Sequence, residues 1–277
     1  MIEIQEREYE LFLDTIREKS VYDFTNYSAA SLKRRLNKIL HDNHLSFSQM
    51  ENKLRNDQHF LEEVVKGITV NTTELFRDPN VWIYLREEVI PAFSYLDRIK
   101  ILHAGASTGQ EVYSMMILLN EMQLLTRSDI YASDLNTDVL ENSRKGVYKF
   151  SFNQEYLTNF DTVFNSSQAN GKVNYSKYFE VDRLGDTIRM KDYLTNKPVY
   201  KKMDLVKDDN VFGINFDIII CRNVIIYFNY ELQNKVFNLF FNSLTPRGAL
   251  VLGLHESIIG PYTTGFEKRG QVYYKSK

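Results

Sequence analysis

Several residues of this chain have the type and setting of groups that handle a ligand. The run Gly105-Ala106-Ser107-Thr108-Gly109 lies between a strand-like segment, Ile99 to Ala104, and a helical one carrying Val112, Tyr113, Met115, Met116 and Leu119. In an open α/β sheet, ligands bind at such a junction, because glycines allow close backbone approach and a helix start presents N–H groups. The run lacks a full Gly-x-Gly-x-x-Gly, so it does not read as a phosphate cradle. Alone, it is also compatible with an ordinary tight turn. Asp134 ends the next strand-like run, Asp129 to Ser133, roughly 25 residues after the glycine turn, near the offset at which a carboxylate reaches a ribose diol. Its two oxygens can take both hydroxyls; the competing role is a cap for the helix opening near Thr137. Asp204 follows Tyr200 to Met203 and can meet an adenine edge; taken alone it is a surface aspartate. No Ser-His-Asp set is found. His41 and His44 are close, but no cysteine or third histidine lies near them, so no metal-ligand spacing emerges. Cys221 reads as a small buried strand residue rather than a nucleophile.

Holding these groups requires a sheet, and from Ile99 onward strands and helices alternate. Phe216 to Cys221 is an almost continuous apolar run, which suits a strand buried on both faces. A helix from about Tyr230 to Leu244, a turn at Thr245 to Gly248, a strand at Ala249 to Gly253 and a closing hairpin follow. That alternation predicts a parallel α/β sheet. Between Phe152 and Lys202 it lapses, and three short runs there, including Pro198-Val199-Tyr200, read as antiparallel strands of an insertion at about 155–201. Before Gly67, taken as a helix stop, the spacing predicts helices only. Residues 1–68 thus form a helical domain, 69–78 a linker contributing to the ligand site, and 79–277 the sheet domain. Asp78-Pro79 reads as a helix N-cap followed by proline at the first helical position. The chain has 277 residues with a formal net charge of −2. This balance argues against a general polyanion binder such as a nucleic-acid-binding protein. A single cysteine excludes an intrachain disulfide and fits a reducing cytosol. Neither a signal-peptide pattern nor a bilayer-length apolar run is seen, so a cytoplasmic location is expected.

Four segments are more specific together: Asn71 to Arg77 (NTTELFR), Ala106 to Ser114 (ASTGQEVYS), Ala132 to Leu140 (ASDLNTDVL) and Cys221 to Phe228 (CRNVIIYF). In this order and at this spacing the chain resembles the CheR family of chemotaxis receptor methyltransferases, over nearly its whole length. The resemblance implies a class I S-adenosylmethionine-dependent methyltransferase with a Rossmann-like seven-stranded sheet, an N-terminal all-helical domain and a small inserted antiparallel β-subdomain. It implies that Asn71, Thr73 and Arg77 cover the cofactor, that Glu111 holds its amino group and Asp134 its ribose, and that Asp204 and Leu205 flank the adenine. Arg222 and Asn223 would close the site, and Arg77 and Tyr227 would stand nearest the transferred methyl as catalytic residues. The chain departs from the family pattern in three places. Gln110 stands where a first glutamate is usual, Asp204 where asparagine is common, and Gly253-Leu254-His255-Glu256 where Gly-His-Ser-Glu is expected.

The implied reaction is methyl esterification of glutamate side chains on a receptor. A glutamate carboxyl has an unperturbed pKa of about 4.3 and is already nucleophilic at neutral pH, so no general base is required. Arg77 stays protonated and can orient a carboxylate by paired hydrogen bonds, but cannot act as a base. Tyr227 can offer its hydroxyl beside the methyl; an isolated tyrosine in such a run would be a core aromatic. Lys33, Arg34, Arg35 and Lys38 form a basic helix face that is either a solvated side or the docking surface for the acidic helical region of a receptor. The rival readings are a methyltransferase for a different protein, nucleic-acid or small-molecule substrate, and a cofactor-binding regulatory module. The separate helical domain disfavours a small substrate.

Overall fold

The structure is a computed structural model that describes residues 4–69, 73–166 and 172–276. The chain divides into two compact units, Met1–Asn71 with Val224–Val236, and Thr72–Asn223 with Phe237–Lys277. Among the described residues no helix is long and apolar enough to cross a membrane.

The first unit contains α1 (Glu6–Lys19), α2 (Ala29–Asp42), α3 (Phe47–Asn56) and α4 (Gln58–Ile68). Their starts follow local chemistry. Ser46 and Gln49 form a reciprocal capping box at α3, and the Asp57 carboxylate accepts from Phe60 N–H at 3.0 Å at α4. Phe12, Ile16, Leu32, Leu36, Met50, Leu61 and Val64 recur at helical spacing and meet in one buried core. Gly67 does not stop α4, which runs on to Ile68. It serves packing instead: a Cβ there would lie 3.1 Å from Ile39 Cδ1.

In the second unit, α5 (Pro79–Tyr84) continues through a π turn and a 3-10 turn to Phe93. Then follow β1 (Ile99–Ala104), α6 (Gln110–Glu121), β2 (Ser128–Asp134), α7 (Thr137–Lys145), β3 (Val147–Lys149), α8 (Glu155–Asn165), β4 (Phe179–Asp182), β5 (Thr187–Met190), α9 (Asp192–Thr195), β6 (Val199–Lys202), β7 (Phe216–Cys221), α10 (Tyr230–Ser243, whose first half belongs to the helical unit), β8 (Leu244–Leu252), β9 (Phe266–Arg269) and β10 (Val272–Lys275). Seven strands form one sheet in the order β6-β2-β1-β7-β8-β10-β9. Its members are parallel except β10, which runs antiparallel to both β8 and β9. The chain proceeds outward from β1 through β2 to β6, then restarts at β7 on the other side of β1. The C-terminal ends of β1 and β7 therefore flank a topological switch point, where open α/β sheets bind ligands.

The insertion is smaller than the sequence suggests. The antiparallel subdomain is β3-β5-β4, and β3 lies before the expected start at 155. Within the expected span, α8 buries Tyr156, Phe160 and Val163 in the core of the main sheet domain. β6 pairs in parallel with β2, placing Tyr200 beside Ala132. The polar, half-exposed pattern of Val199 to Lys202 is that of a sheet edge, where lysines discourage further pairing. So short a run does not reveal which neighbour it pairs with.

Candidate active site

The glycine turn leaves β1 through three left-handed residues, Gly105 at φ 81°, Ser107 at φ 51° and Gly109 at φ 91°. Three of its amides meet backbone carbonyls. Gly105 and Ala106 N–H donate to the Ser133 carbonyl at 2.9 and 2.8 Å, and Gly109 N–H to the Ala106 carbonyl at 3.0 Å. The loop is braced by Tyr148 of β3, whose hydroxyl donates to the Thr108 carbonyl at 2.7 Å. Gln110 donates to the Tyr156 hydroxyl of α8 at 2.7 Å and accepts from Thr108 Oγ1. That role suits an amide, which supplies an N–H a carboxylate lacks, and it accounts for the departure at this position.

Asp134, the last residue of β2, accepts from Ser107 N–H at 2.8 Å and from Asn136 N–H at 3.0 Å. Burial raises its carboxyl, against the opposing pull of the Asn136, Ser107 and Leu135 N–H groups. It is not the cap of α7; that is Asn136, which accepts from Asp138 N–H at 2.9 Å. The end of β6 is fastened beside it by Met203 N–H donating to the Asp134 carbonyl at 3.0 Å. Asp204 and Leu205 follow directly. Asp204 turns the chain by accepting from Val206 N–H; burial raises its carboxyl, and Leu205 is buried.

A second cluster joins α6, β1, the linker and the end of β7. Glu111 Oε1 lies 3.0 Å from His103 Nδ1, and its Oε2 lies 3.4 Å from Arg222 Nη1. Arg222 Nη2 donates to Asp78 Oδ2 at 2.7 Å and to the Arg77 carbonyl at 3.1 Å. Burial pushes the Glu111 carboxyl up; the hydrogen bond and charge of His103, with Arg222, more than offset this and bring it below the usual range. Asp78 stands at the N-cap position with Pro79 following it, as expected, but at φ 56° its side chain makes no capping bond, and the Arg222 guanidinium takes its carboxylate. Phe76 is also left-handed, at φ 52°, and its N–H donates to Ser114 Oγ at 2.7 Å. Trp82 Nε1 donates to the Arg77 carbonyl at 2.9 Å. Trp82 and Arg222 thus hold the Arg77 backbone by its carbonyl. Thr73 is half-buried at the start of the described linker, and Asn71 lies outside the described residues.

Asn223 follows Arg222 with φ 60°, and its N–H donates to Glu256 Oε2 at 2.9 Å. The same oxygen accepts from Gly253 N–H at 2.7 Å. Glu256 is buried and sets this turn, a role the sequence reading did not assign. The signal available for it was its closeness to Gly253 at the end of a strand.

Tyr227 falls in the helical unit. Ser28 N–H donates to its carbonyl at 2.8 Å, Phe228 bridges Tyr27, and the Arg35 guanidinium lies over its ring at 4.5 Å from the centroid. Arg35 is therefore engaged, and so is Lys33, which pairs with Glu6 at 2.5 Å and lies over the Tyr9 ring. Only Arg34 and Lys38 of the expected basic face are exposed. They stand four residues apart on α2 and so share one side of the helix.

The model of the CheR methyltransferase S-adenosylmethionine-binding domain matches residues 71–274, and that of the CheR methyltransferase all-alpha domain matches residues 7–69. The chain belongs to the CheR methyltransferase family. Among CheR-type relatives, it is 36% identical over 274 residues to a Pseudomonas putida protein provisionally named methyltransferase Cher3, covering 97% of each chain. It is 28% identical over 277 residues to the chemotaxis protein methyltransferase of Listeria innocua, covering 99% of each. It is 31% identical over 203 residues to chemotaxis protein methyltransferase 1 of Vibrio cholerae, covering 71% of this chain and 68% of that one. The fold is accordingly that of a class I methyltransferase with a CheR all-alpha domain, and the enzyme uses S-adenosylmethionine.

Proposed function

We propose that this CheR-family enzyme esterifies glutamate side chains in the helical cytoplasmic region of chemotaxis receptors, and that it works in the cytoplasm. One observation carries the substrate class: the carboxylates gathered at the switch point are engaged. Glu111 and Asp78 face Arg222, and Asp134 holds two backbone N–H groups. The remaining linker carboxyl, Glu74, is raised by burial first and then by its hydrogen bond to Glu155. An acceptor that arrives already ionised needs no base from the enzyme, and a glutamate side chain is such an acceptor. The names of the Listeria and Vibrio relatives support the chemotaxis setting.

The residues present fit the cofactor. Gly105, Ala106 and Gly109 spend their amides on backbone carbonyls and Ser107 N–H goes to Asp134, so the turn does not offer the full set of N–H groups a phosphate would take. Asp134 retains lone pairs for ribose hydroxyls, and Glu111, held ionised, suits an ammonium group. Asp204 and Leu205 are assigned to the adenine side, Arg222 and Asn223 to closing the site after β7, and Thr73 to covering it; the same covering role is assigned to Asn71, which lies outside the described residues. S-adenosylmethionine, when bound, would supply an electrophilic methyl group on a sulfonium, with a neutral thioether as its leaving group. Arg77 orients the incoming carboxylate by paired hydrogen bonds. Tyr227, whose ring carries the Arg35 guanidinium, is assigned the second catalytic role. What the residues contribute is alignment and water exclusion.

The test uses methyl-labelled S-adenosylmethionine and a receptor cytoplasmic fragment. Label should enter as base-labile ester and disappear when the fragment's glutamates are replaced by alanine. Arg77→Ala and Tyr227→Phe should each lower turnover at least about tenfold while changing cofactor affinity less, the pattern of an interaction made in the transition state. Label that persists on the glutamate-free fragment would overturn the substrate; full turnover in both variants would overturn the two roles.

The receptor is proposed to dock on Arg34 and Lys38. Opposite charges across an interface mainly speed encounter and are screened by salt. Arg34→Glu/Lys38→Glu should raise the KM for the fragment, most at low ionic strength, and leave cofactor Kd unchanged. Wild-type kinetics of this double variant at low salt would reduce the pair to an ordinary solvated surface.

A further inference from the structure

His103 is the penultimate residue of β1 and is fully buried. Its register neighbours are Ala132 on β2 and Ile220 on β7, so the sheet surrounds it with apolar residues. An imidazole there is costly unless its polar atoms are used. One is used: Nδ1 meets Glu111 Oε1 at 3.0 Å, while Nε2 is buried with no hydrogen-bond partner among the described residues. This asymmetry selects a tautomer. With the proton on Nδ1, the ring donates to the carboxylate and leaves only a bare lone pair unpaired in the core. With the proton on Nε2, a lone pair would face the carboxylate and an N–H would be left unmet.

Glu111 is thereby gripped at both oxygens from two strands. His103 on β1 holds Oε1, and Arg222 after β7 holds Oε2 at 3.4 Å. Rotation of the carboxylate about its last torsion would break one contact or both. Arg222 is shared between Glu111 and Asp78, so the Glu111 carboxylate is held in place without a cation of its own. Cys221 and Glu256 are the other titratable groups at the end of β7 and beyond β8, and both are buried.

We propose that His103 is a positioning residue that fixes the Glu111 carboxylate to receive the ammonium group of the S-adenosylmethionine amino-acid arm. The proposal rests on the reading of Glu111 above. It makes His103 a determinant of that arm alone, with no part in holding the adenosine.

Two probes separate these. S-adenosylhomocysteine carries the ammonium group, and 5′-methylthioadenosine has the same adenosine and sulfur without the amino-acid arm. By calorimetry, His103→Leu should raise the Kd of S-adenosylhomocysteine about tenfold, the scale of one charge-assisted hydrogen bond. It should leave that of methylthioadenosine unchanged within about twofold. His103→Asn, which keeps a donor, should restore most of the loss. Glu111→Gln is the control and should also weaken S-adenosylhomocysteine selectively. If Glu111→Gln weakens it and His103→Leu does not, the proposal for His103 falls and the reading of Glu111 stands. If Glu111→Gln leaves both Kd values unchanged, the reading of Glu111 itself falls and takes the proposal with it. Equal weakening of both probes by His103→Leu would mean that the ring only fills space, which also overturns the proposal. Should the leucine variant not fold, His103→Met serves the same comparison.

Discussion

Arg222→Met is expected to lower the free energy of unfolding by about 3–5 kcal/mol, the cost of removing one partner from a buried ion pair. The Arg222 side chain is 1% exposed, with Asp78 and Glu111 at 27% and 14%, so solvent cannot replace the lost cation. Methionine fills most of the volume, which isolates the electrostatic part. The pH dependence should change with it. The folded-state Glu111 carboxyl lies below its ordinary value of 4.5 because His103 and Arg222 outweigh its burial. A depressed carboxyl contributes stability that is present above the unfolded value and is lost as pH falls through the folded one. The wild type should therefore lose this contribution in acid below about pH 4.5. In the variant the Arg222 contribution is gone and His103 alone opposes burial, so the carboxyl is held down less and the loss of stability in acid should be smaller. Urea titrations across that range measure both effects. An unchanged midpoint at neutral pH would mean that the cluster is far wetter than its burial implies.

Gly109→Ala is expected to cost about 2–4 kcal/mol, combining left-handed backbone strain with overpacking. At φ 91° a side chain is strained whatever the space around it, and there is no space. The new Cβ would lie 1.8 Å from Ser143 Oγ and 2.7 Å from Ser143 Cβ, so α7 must shift rather than one hydroxyl rotate. The two causes separate in a double-mutant cycle. Ser143→Gly removes both clashing atoms, although it also removes the hydrogen bond to the Tyr200 hydroxyl. Gly109→Ala should therefore cost less in that background, by about 1–2 kcal/mol. An equal cost in both backgrounds would assign the whole effect to the backbone. Because α7 follows Asp134 so closely in the chain, its displacement should also weaken S-adenosylhomocysteine binding.

Sequence by itself determined the alternation of elements and therefore the sheet. Ile99 to Ala104 and Phe216 to Cys221 are buried strands because runs so nearly apolar leave little face for water. It also placed Asp134 at the end of a strand and a helix start near Ser28, since these are local properties of neighbouring residues. Its ordered motifs pointed to the CheR family. Periodicity reports which side of an element is buried, but not what lies against it. Asp78 had the local signature of a helix cap, and an arginine 144 residues away took its carboxylate. Lys33, Arg34, Arg35 and Lys38 looked like one basic face, until Glu6 and the ring of Tyr227 engaged two of them. β6 looked like part of an insertion because four residues with only Tyr200 buried do not encode their neighbour. His103 read as one scattered histidine among five, and Glu111 as a cofactor-holding carboxylate with no partner named. What joins them to Arg222, 111 residues beyond Glu111, is the placement of β1 beside β7. Strand order is set by how the whole chain minimises exposed apolar surface, so buried charge pairs of this kind exist only once the sheet has closed around them.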